Sequence, residues 1–97
     1  MRHAGDDALR ELDDVVAALR AMPQLREHRT GAFSRGGRAF SHFHEDGERL
    51  FVDVRLVGDG GFERVELTTK AQRRRFLAEV RRVLREPAPN GKSLSQR

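Results

Sequence analysis

The chain has 97 residues, of which 37% are hydrophobic and 35% are charged, and its formal net charge is +4. This length allows a single hydrophobic core, and the absence of cysteine excludes both a disulfide framework and a thiolate metal site. No apolar stretch suits a signal peptide or a membrane span, so we expect a cytoplasmic protein without a membrane partner.

The first predicted element is an amphipathic helix over residues 7–22. Its apolar residues recur at spacings of three and four, which is the period of a helix. Asp6 and Asp7 favour the N-terminal end, and Pro23 ends the pattern because proline cannot continue a helix. The main apolar residues of this helix are Leu9, Leu12, Val16 and Leu19.

The middle of the chain, residues 24–67, predicts an antiparallel meander of three to five strands. The hydrophobic period changes to two there, and glycine-containing turn signals recur. The predicted strands are Ala32–Arg35, 38–45, 49–56 and 62–67, with a further short strand near Leu25–Arg29.

The dipeptide Asp46-Gly47 is a preferred pair for the two-residue loop of a hairpin. Such a loop would place three pairs on the sheet face that the helices cover: Phe43 with Leu50, Ser41 with Val52, and Ala39 with Val54. The side chains left on the opposite face would be Phe33, Phe40, His42, His44 and Phe51. A three-residue loop with a bulge would instead bring Phe40 and His42 into the core. The sequence leaves both registers open.

A second helix is predicted to begin after Thr69, which has capping-box spacing to Gln72, and to end at Glu86-Pro87. Its apolar residues are Phe76, Leu77, Val80, Val83 and Leu84. The predicted fold is therefore α+β: an N-terminal helix, a meander and a C-terminal helix, with both helices on one sheet face. We expect one domain over residues 1–86 and a flexible tail over residues 87–97.

The second helix is strongly basic, with seven basic residues against two acidic ones over residues 70–86. At about 100° per residue, Arg74, Arg81 and Arg85 fall on one line, with Arg75 and Arg82 beside it. Such a stripe can follow the phosphates of a nucleic acid or contact an acidic protein. The alternative is an ordinary solvated helix face. The first hypothesis is thus a non-enzymatic binding module.

His42 and His44 are two residues apart on a predicted strand, so they project to the same face. They could supply two metal ligands, and the sequence does not determine a third among His28, Glu45 and Asp53. Half-buried histidines with ordinary hydrogen bonds are the alternative. We expect no bound metal and no cofactor.

The predicted open-face group of Phe33, Phe40 and Phe51 suggests an interface. Aromatic rings among arginines can stack on unpaired bases, or they can seal a homodimer. The second hypothesis is therefore a structural or interaction domain that forms a homodimer through the open sheet face. The alternative is that these rings belong to the core. The chain contains no recognised catalytic motif, so we name no catalytic residue, and an enzyme is the third hypothesis.

Residues 31–55, which run from Gly31-Ala32-Phe33 through His42-Phe43-His44 to Val54-Arg55, resemble the central hairpins of the MmcQ/YjbR family of small bacterial proteins. The resemblance implies a CyaY-like α+β fold and DNA binding through a double-wing motif. The segment His42-Phe43-His44 is also similar to the small bacterial luciferase-like domain.

Overall fold

The computed structural model describes residues 1–58 and 60–87 and has an α+β fold, as predicted. The predicted tail lies outside the described residues except for Pro87. The strands are β1 (Arg2–His3), β2 (Leu25–Arg29), β3 (Ala32–Arg35), β4 (Arg38–Asp46), β5 (Arg49–Val54) and β6 (Glu63–Glu66). The helices are α1 (Asp6–Glu11), α2 (Asp13–Arg20) and α3 (Lys70–Leu84).

The predicted N-terminal helix is interrupted at Leu12, which separates α1 from α2. Leu12 has φ −92° and ψ 16°, outside the helical range. Helical hydrogen bonds nevertheless cross the interruption, from Leu12 N to Ala8 O at 3.0 Å and from Val16 N to Leu12 O at 2.9 Å. The apolar spacing continues through this point because Leu12 itself is fully buried. The pattern therefore predicted one helix where the backbone forms two.

The sheet is antiparallel, and five of its strands follow the order β2-β3-β4-β5-β6. The sixth strand, β1, pairs with the end of β4, with His3 opposite His44. The prediction of three to five strands was therefore too low. A two-residue polar strand cannot show an alternating pattern, so β1 has no signal in the sequence.

One hydrophobic cluster joins the three helices to one face of the sheet, which we call the core face. The core face carries Phe43, Leu50, Val52 and Val54. Helix residues in the same cluster are Ala8, Leu12, Val15, Val16, Leu19, Phe76, Val80 and Leu84. We call the opposite side of the sheet the outer face; it carries His42, His44, Phe51 and Asp53 by strand alternation.

The pairing register between β4 and β5 is shifted by two residues from the predicted register. Asp46 pairs with Arg49, so the two loop residues are Gly47 and Glu48. Gly47 has φ 62°, and within residues 1–58 and 60–87 no other residue type has a positive φ. This geometry matches a type II′ turn, which requires glycine at its first loop position.

Phe43 consequently pairs with Val52, and Ser41 with Val54, instead of Leu50 and Val52. Because the shift is an even number of residues, the side chains of residues 41–46 and 49–54 keep their predicted faces. The alternative three-residue loop, which would have brought His42 to the core face, is not formed.

Phe33 and Phe40 were predicted on the open face, but both lie in the core, next to a β-bulge. Phe33 lies opposite Ser41, whereas Ser34 lies opposite Ala39, so Phe40 has no partner in β3. The extra residue lets Phe40 join the hydrophobic core together with Phe33, and each is only 2% exposed. Of the three predicted interface rings, only Phe51 lies on the outer face, and it is 7% exposed.

Helix α3 begins with the predicted capping box. The Thr69 hydroxyl accepts a hydrogen bond from Gln72 N at 3.1 Å, and Thr69 N donates to Gln72 Oε1 at 2.9 Å. These two bonds satisfy backbone donors that the first turn of a helix leaves free. The start of the basic helix was therefore predictable from four consecutive residues.

Candidate functional site

Three arginines of α3 and the arginine that caps its C-terminal end are exposed, and their side chains make no ion pair or hydrogen bond among the described residues: Arg74, Arg75, Arg81 and Arg85. We call these residues the arginine face. Three of them, at positions 74, 81 and 85, span about 16 Å along the helix axis at 1.5 Å per residue. They form a row of unneutralised positive charge.

The fifth predicted arginine, Arg82, differs from these four because it has acidic partners. Its guanidinium contacts the Glu79 carboxylate one turn earlier and lies 3.9 Å from Glu86 Oε2. The Glu79 contact raises the pKa of Arg82 and lowers that of Glu79. Arg82 therefore adds little net charge to the arginine face.

Most arginines elsewhere in the described chain have polar partners. Arg20 pairs with Glu27, with 2.6 Å between Nε and Oε1. Arg49 binds both carboxylate oxygens of Glu66. Arg55 donates to the backbone oxygens of Ala39 and Gly60. The arginine face therefore differs from most arginines of the described chain, whose charge or donors are already engaged.

A second group of candidate residues lies on the outer face. His42 and His44 project from β4 to this side, and Asp53 of β5 is the cross-strand partner of His42. The Oδ2 atom of Asp53 lies 3.6 Å from His42 Nε2 and 3.1 Å from His44 Nε2. One ligand atom from each of the three residues lies within 4.8 Å of the other two. We call these residues the His-His-Asp cluster.

Burial lowers the pKa of both histidines; the Asp53 carboxylate acts against this effect, and nearby positive groups such as Arg64 add to it. Both imidazoles are therefore neutral near pH 7. The pKa of Asp53 is also lowered, mainly by its hydrogen bonds from Arg64. Arg64 donates from Nε to Oδ1 at 2.7 Å and from Nη2 to Oδ2 at 2.8 Å. Asp53 is thus an oriented carboxylate, and the histidines are uncharged nitrogen ligands.

The two nitrogens of His44 have different surroundings. Nε2 is buried and has no hydrogen-bond partner, since its short contact with Asp53 lacks the required geometry. A hydrogen bond with the backbone of Arg2 acts to raise the pKa of the ring. Nε2 is the His44 nitrogen that faces the cluster, because it lies next to Asp53 Oδ2.

Aromatic rings surround the cluster on two sides. The ring of His3 stacks on His44, with 4.6 Å between centroids, and Phe62 packs edge-on against His42 at 4.9 Å. The guanidinium of Arg55 lies over the ring of Phe62, 4.3 Å from its centroid. These contacts limit the access of water to the histidines.

Of the three sequence candidates for a third ligand, the structure brings only Asp53 to the two histidines. His28 Nε2 instead contacts the Ser34 hydroxyl at 2.5 Å. Glu45 accepts a hydrogen bond from Gly5 N and lies 3.6 Å from Arg2. Sequence reasoning missed His3 and Arg64, whose positions depend on strand pairing that leaves no local signal.

Comparisons with protein-family models, with curated proteins and with solved structures found no match. The resemblance to the MmcQ/YjbR family therefore stays a prediction. Among the described residues, no helix has both the length and the apolar character that crossing a membrane requires.

Proposed function

We propose that this protein is a non-enzymatic binding module that contacts the phosphate backbone of nucleic acid through the arginine face. The observation that carries the proposal is that the side chains of the arginine face, on α3 and at its C-cap, have no ion pair or hydrogen bond among the described residues. An arginine without an acidic partner can bind a phosphate without first breaking an ion pair. Its guanidinium also matches phosphate geometry with two parallel hydrogen bonds.

The shape of the face supports binding to the backbone rather than to the bases. Arg74, Arg81 and Arg85 follow one line along α3, and a line of guanidinium groups can follow a line of phosphates. Contacts of this kind give affinity that depends steeply on salt and little on sequence. We expect micromolar or weaker binding to duplex DNA at low salt.

The experiment compares two variants that lose the same formal charge. In Arg81→Ala/Arg85→Ala, two members of the arginine face are removed. The control is Arg26→Ala/Arg29→Ala, which removes two exposed arginines of β2 that also lack ion pairs among the described residues. Fluorescence anisotropy with a labelled duplex gives the affinity at several salt concentrations, and circular dichroism verifies folding.

We expect the α3 variant to reduce the slope of log K against log salt by about 2, because each lost phosphate contact contributes about 0.9. The β2 variant should leave the slope close to that of the wild type. Equal losses in both variants would mean that net charge alone governs binding, and would contradict the proposal. Tighter binding of poly-glutamate than of DNA would favour an acidic protein partner instead.

A further inference from the structure

We propose that His42, His44 and Asp53 form a binding site for one divalent transition-metal ion of the zinc type. The sequence supplied two imidazoles and no determined third ligand. The structure supplies a carboxylate within reach of both rings, and this juxtaposition carries the inference. The site lies on the outer face and does not depend on the nucleic-acid proposal.

The spacing of the ligand atoms suits a small tetrahedral ion. Zinc binds imidazole nitrogen and carboxylate oxygen at about 2.0–2.2 Å, so two ligands of a tetrahedral site lie roughly 3.4 Å apart. The observed separations from Asp53 Oδ2 to the Nε2 atoms of His42 and His44 are 3.6 and 3.1 Å. Only small side-chain movements are needed to place an ion between them.

One nitrogen of His44 is left unsatisfied inside the cluster. Its buried Nε2 has no hydrogen-bond partner, although it lies 3.1 Å from Asp53 Oδ2. Buried polar atoms nearly always have a partner, so an exception requires an explanation. A cation bound between Nε2 and the carboxylate would satisfy both.

Arg64 orients Asp53 without using all of its acceptor capacity. An ionised carboxylate has about four lone-pair positions on its two oxygens, and Arg64 occupies one on each oxygen. The remaining position on Oδ2 is available on the side of the histidines. The positive charge of Arg64 would repel the bound ion. We therefore expect weaker metal binding than at a site whose carboxylate has no cationic partner.

Two imidazoles and one carboxylate select ions that accept both nitrogen and oxygen ligands, such as Zn²⁺, Co²⁺ or Fe²⁺, over Ca²⁺ and Mg²⁺. Three protein ligands leave the fourth tetrahedral position for a water molecule or a small ligand. Sites of this composition are typical of metal centres that keep an open position.

The test is isothermal titration calorimetry of the untagged protein with zinc chloride after removal of bound metal by a chelator. We expect one zinc ion per chain. His42→Ala and Asp53→Asn should each weaken binding by more than about 100-fold, the upper end of what loss of an outer-shell partner costs. His28→Ala is the matched control, since His28 is the same residue type outside the cluster, and it should bind zinc as the wild type does.

Titration with Co²⁺ provides a second readout, because the intensity of its visible absorption distinguishes four-coordinate from six-coordinate ions. We expect a four-coordinate spectrum that is lost in His42→Ala, a variant chosen because His42 is more exposed than His44. Unchanged zinc affinity in a folded His42→Ala protein would overturn the proposal. So would loss of zinc binding in His28→Ala.

Discussion

Arg73 and Arg74 are consecutive residues of α3 with opposite surroundings. The side chain of Arg73 is 6% exposed, and it donates hydrogen bonds to Leu67 O at 2.8 Å and Thr68 O at 3.2 Å. It also lies 3.6 Å from Glu11 and 3.9 Å from Asp14. Arg74 is exposed and belongs to the arginine face. Arg73 is therefore a structural residue that links α3 to the chain before it and to α1 and α2.

Replacement of Arg73 by methionine should lower the free energy of unfolding by about 2–3 kcal/mol, because two backbone carbonyls lose a charged hydrogen-bond donor. Arg74→Met is the matched control and should change the stability by less than about 0.5 kcal/mol. Urea denaturation of both variants measures the difference. Equal stabilities would contradict a structural role for Arg73.

The Glu66 carboxylate has a pKa far below its usual value. Hydrogen bonds from Arg49, and then from the Thr68 hydroxyl, lower the pKa of Glu66 from 4.5 to about 2. A lowered pKa in the folded state stabilises the fold at every pH above the unfolded value. This stabilisation is lost as the pH falls from about 4.5 towards 2.

We therefore expect wild type to be more stable than Glu66→Gln at pH 7, by an amount that is unchanged down to about pH 4.5 and is smaller at pH 3. The measurement is urea denaturation at these three pH values. Glu63→Gln on the same strand is the control, since the side chain of Glu63 makes no ion pair or hydrogen bond among the described residues. A difference for Glu66→Gln that does not depend on pH would contradict this account.

At the level of elements, the hairpin of β4 and β5 depends on one glycine. Gly47 has φ 62° and occupies the first loop position, while its Cβ position is open space. A side chain at this position would therefore destabilise the fold through its backbone conformation and not through steric clashes with neighbouring residues. Asp46 and Arg49 pair on either side of this turn.

Gly47→Ala should lower the free energy of unfolding by about 1–2 kcal/mol, the cost of a left-handed conformation for a residue with a Cβ. Gly61→Ala is the control, because its Cβ would also meet open space and its φ is not in the left-handed region. It should be close to neutral. Thermal unfolding of the two variants checks the prediction, and a similar loss in both would argue against the type II′ turn.

For the whole molecule, the basic helix α3 meets α1 and α2 at Arg73, which lies close to both Glu11 and Asp14. The arginine face does not share these contacts, so its positive charge is not neutralised by the N-terminal helices. The homodimer stays a prediction, but the exposed group of phenylalanines from which it was inferred is not present on the outer face. Phe33 and Phe40 are core residues, and Phe51 is 7% exposed.

The sequence by itself determined the local features of this protein. The capping box of Thr69 and Gln72, the bounds of β2 and β3, and the common face of His42 and His44 follow from residues close together in the chain. Their geometry depends on helical or strand periodicity and on backbone hydrogen bonds within a few residues.

Only the tertiary structure decided which residues of different strands and helices meet. The bulge at Phe40 and the two-residue shift of the hairpin depend on the fit of whole strands in the core, which no short segment encodes. For the same reason, the sequence could not choose Asp53 over His28 and Glu45 as the partner of the two histidines. It also could not distinguish the buried Arg73 from the exposed Arg74, because burial is a property of the packed fold.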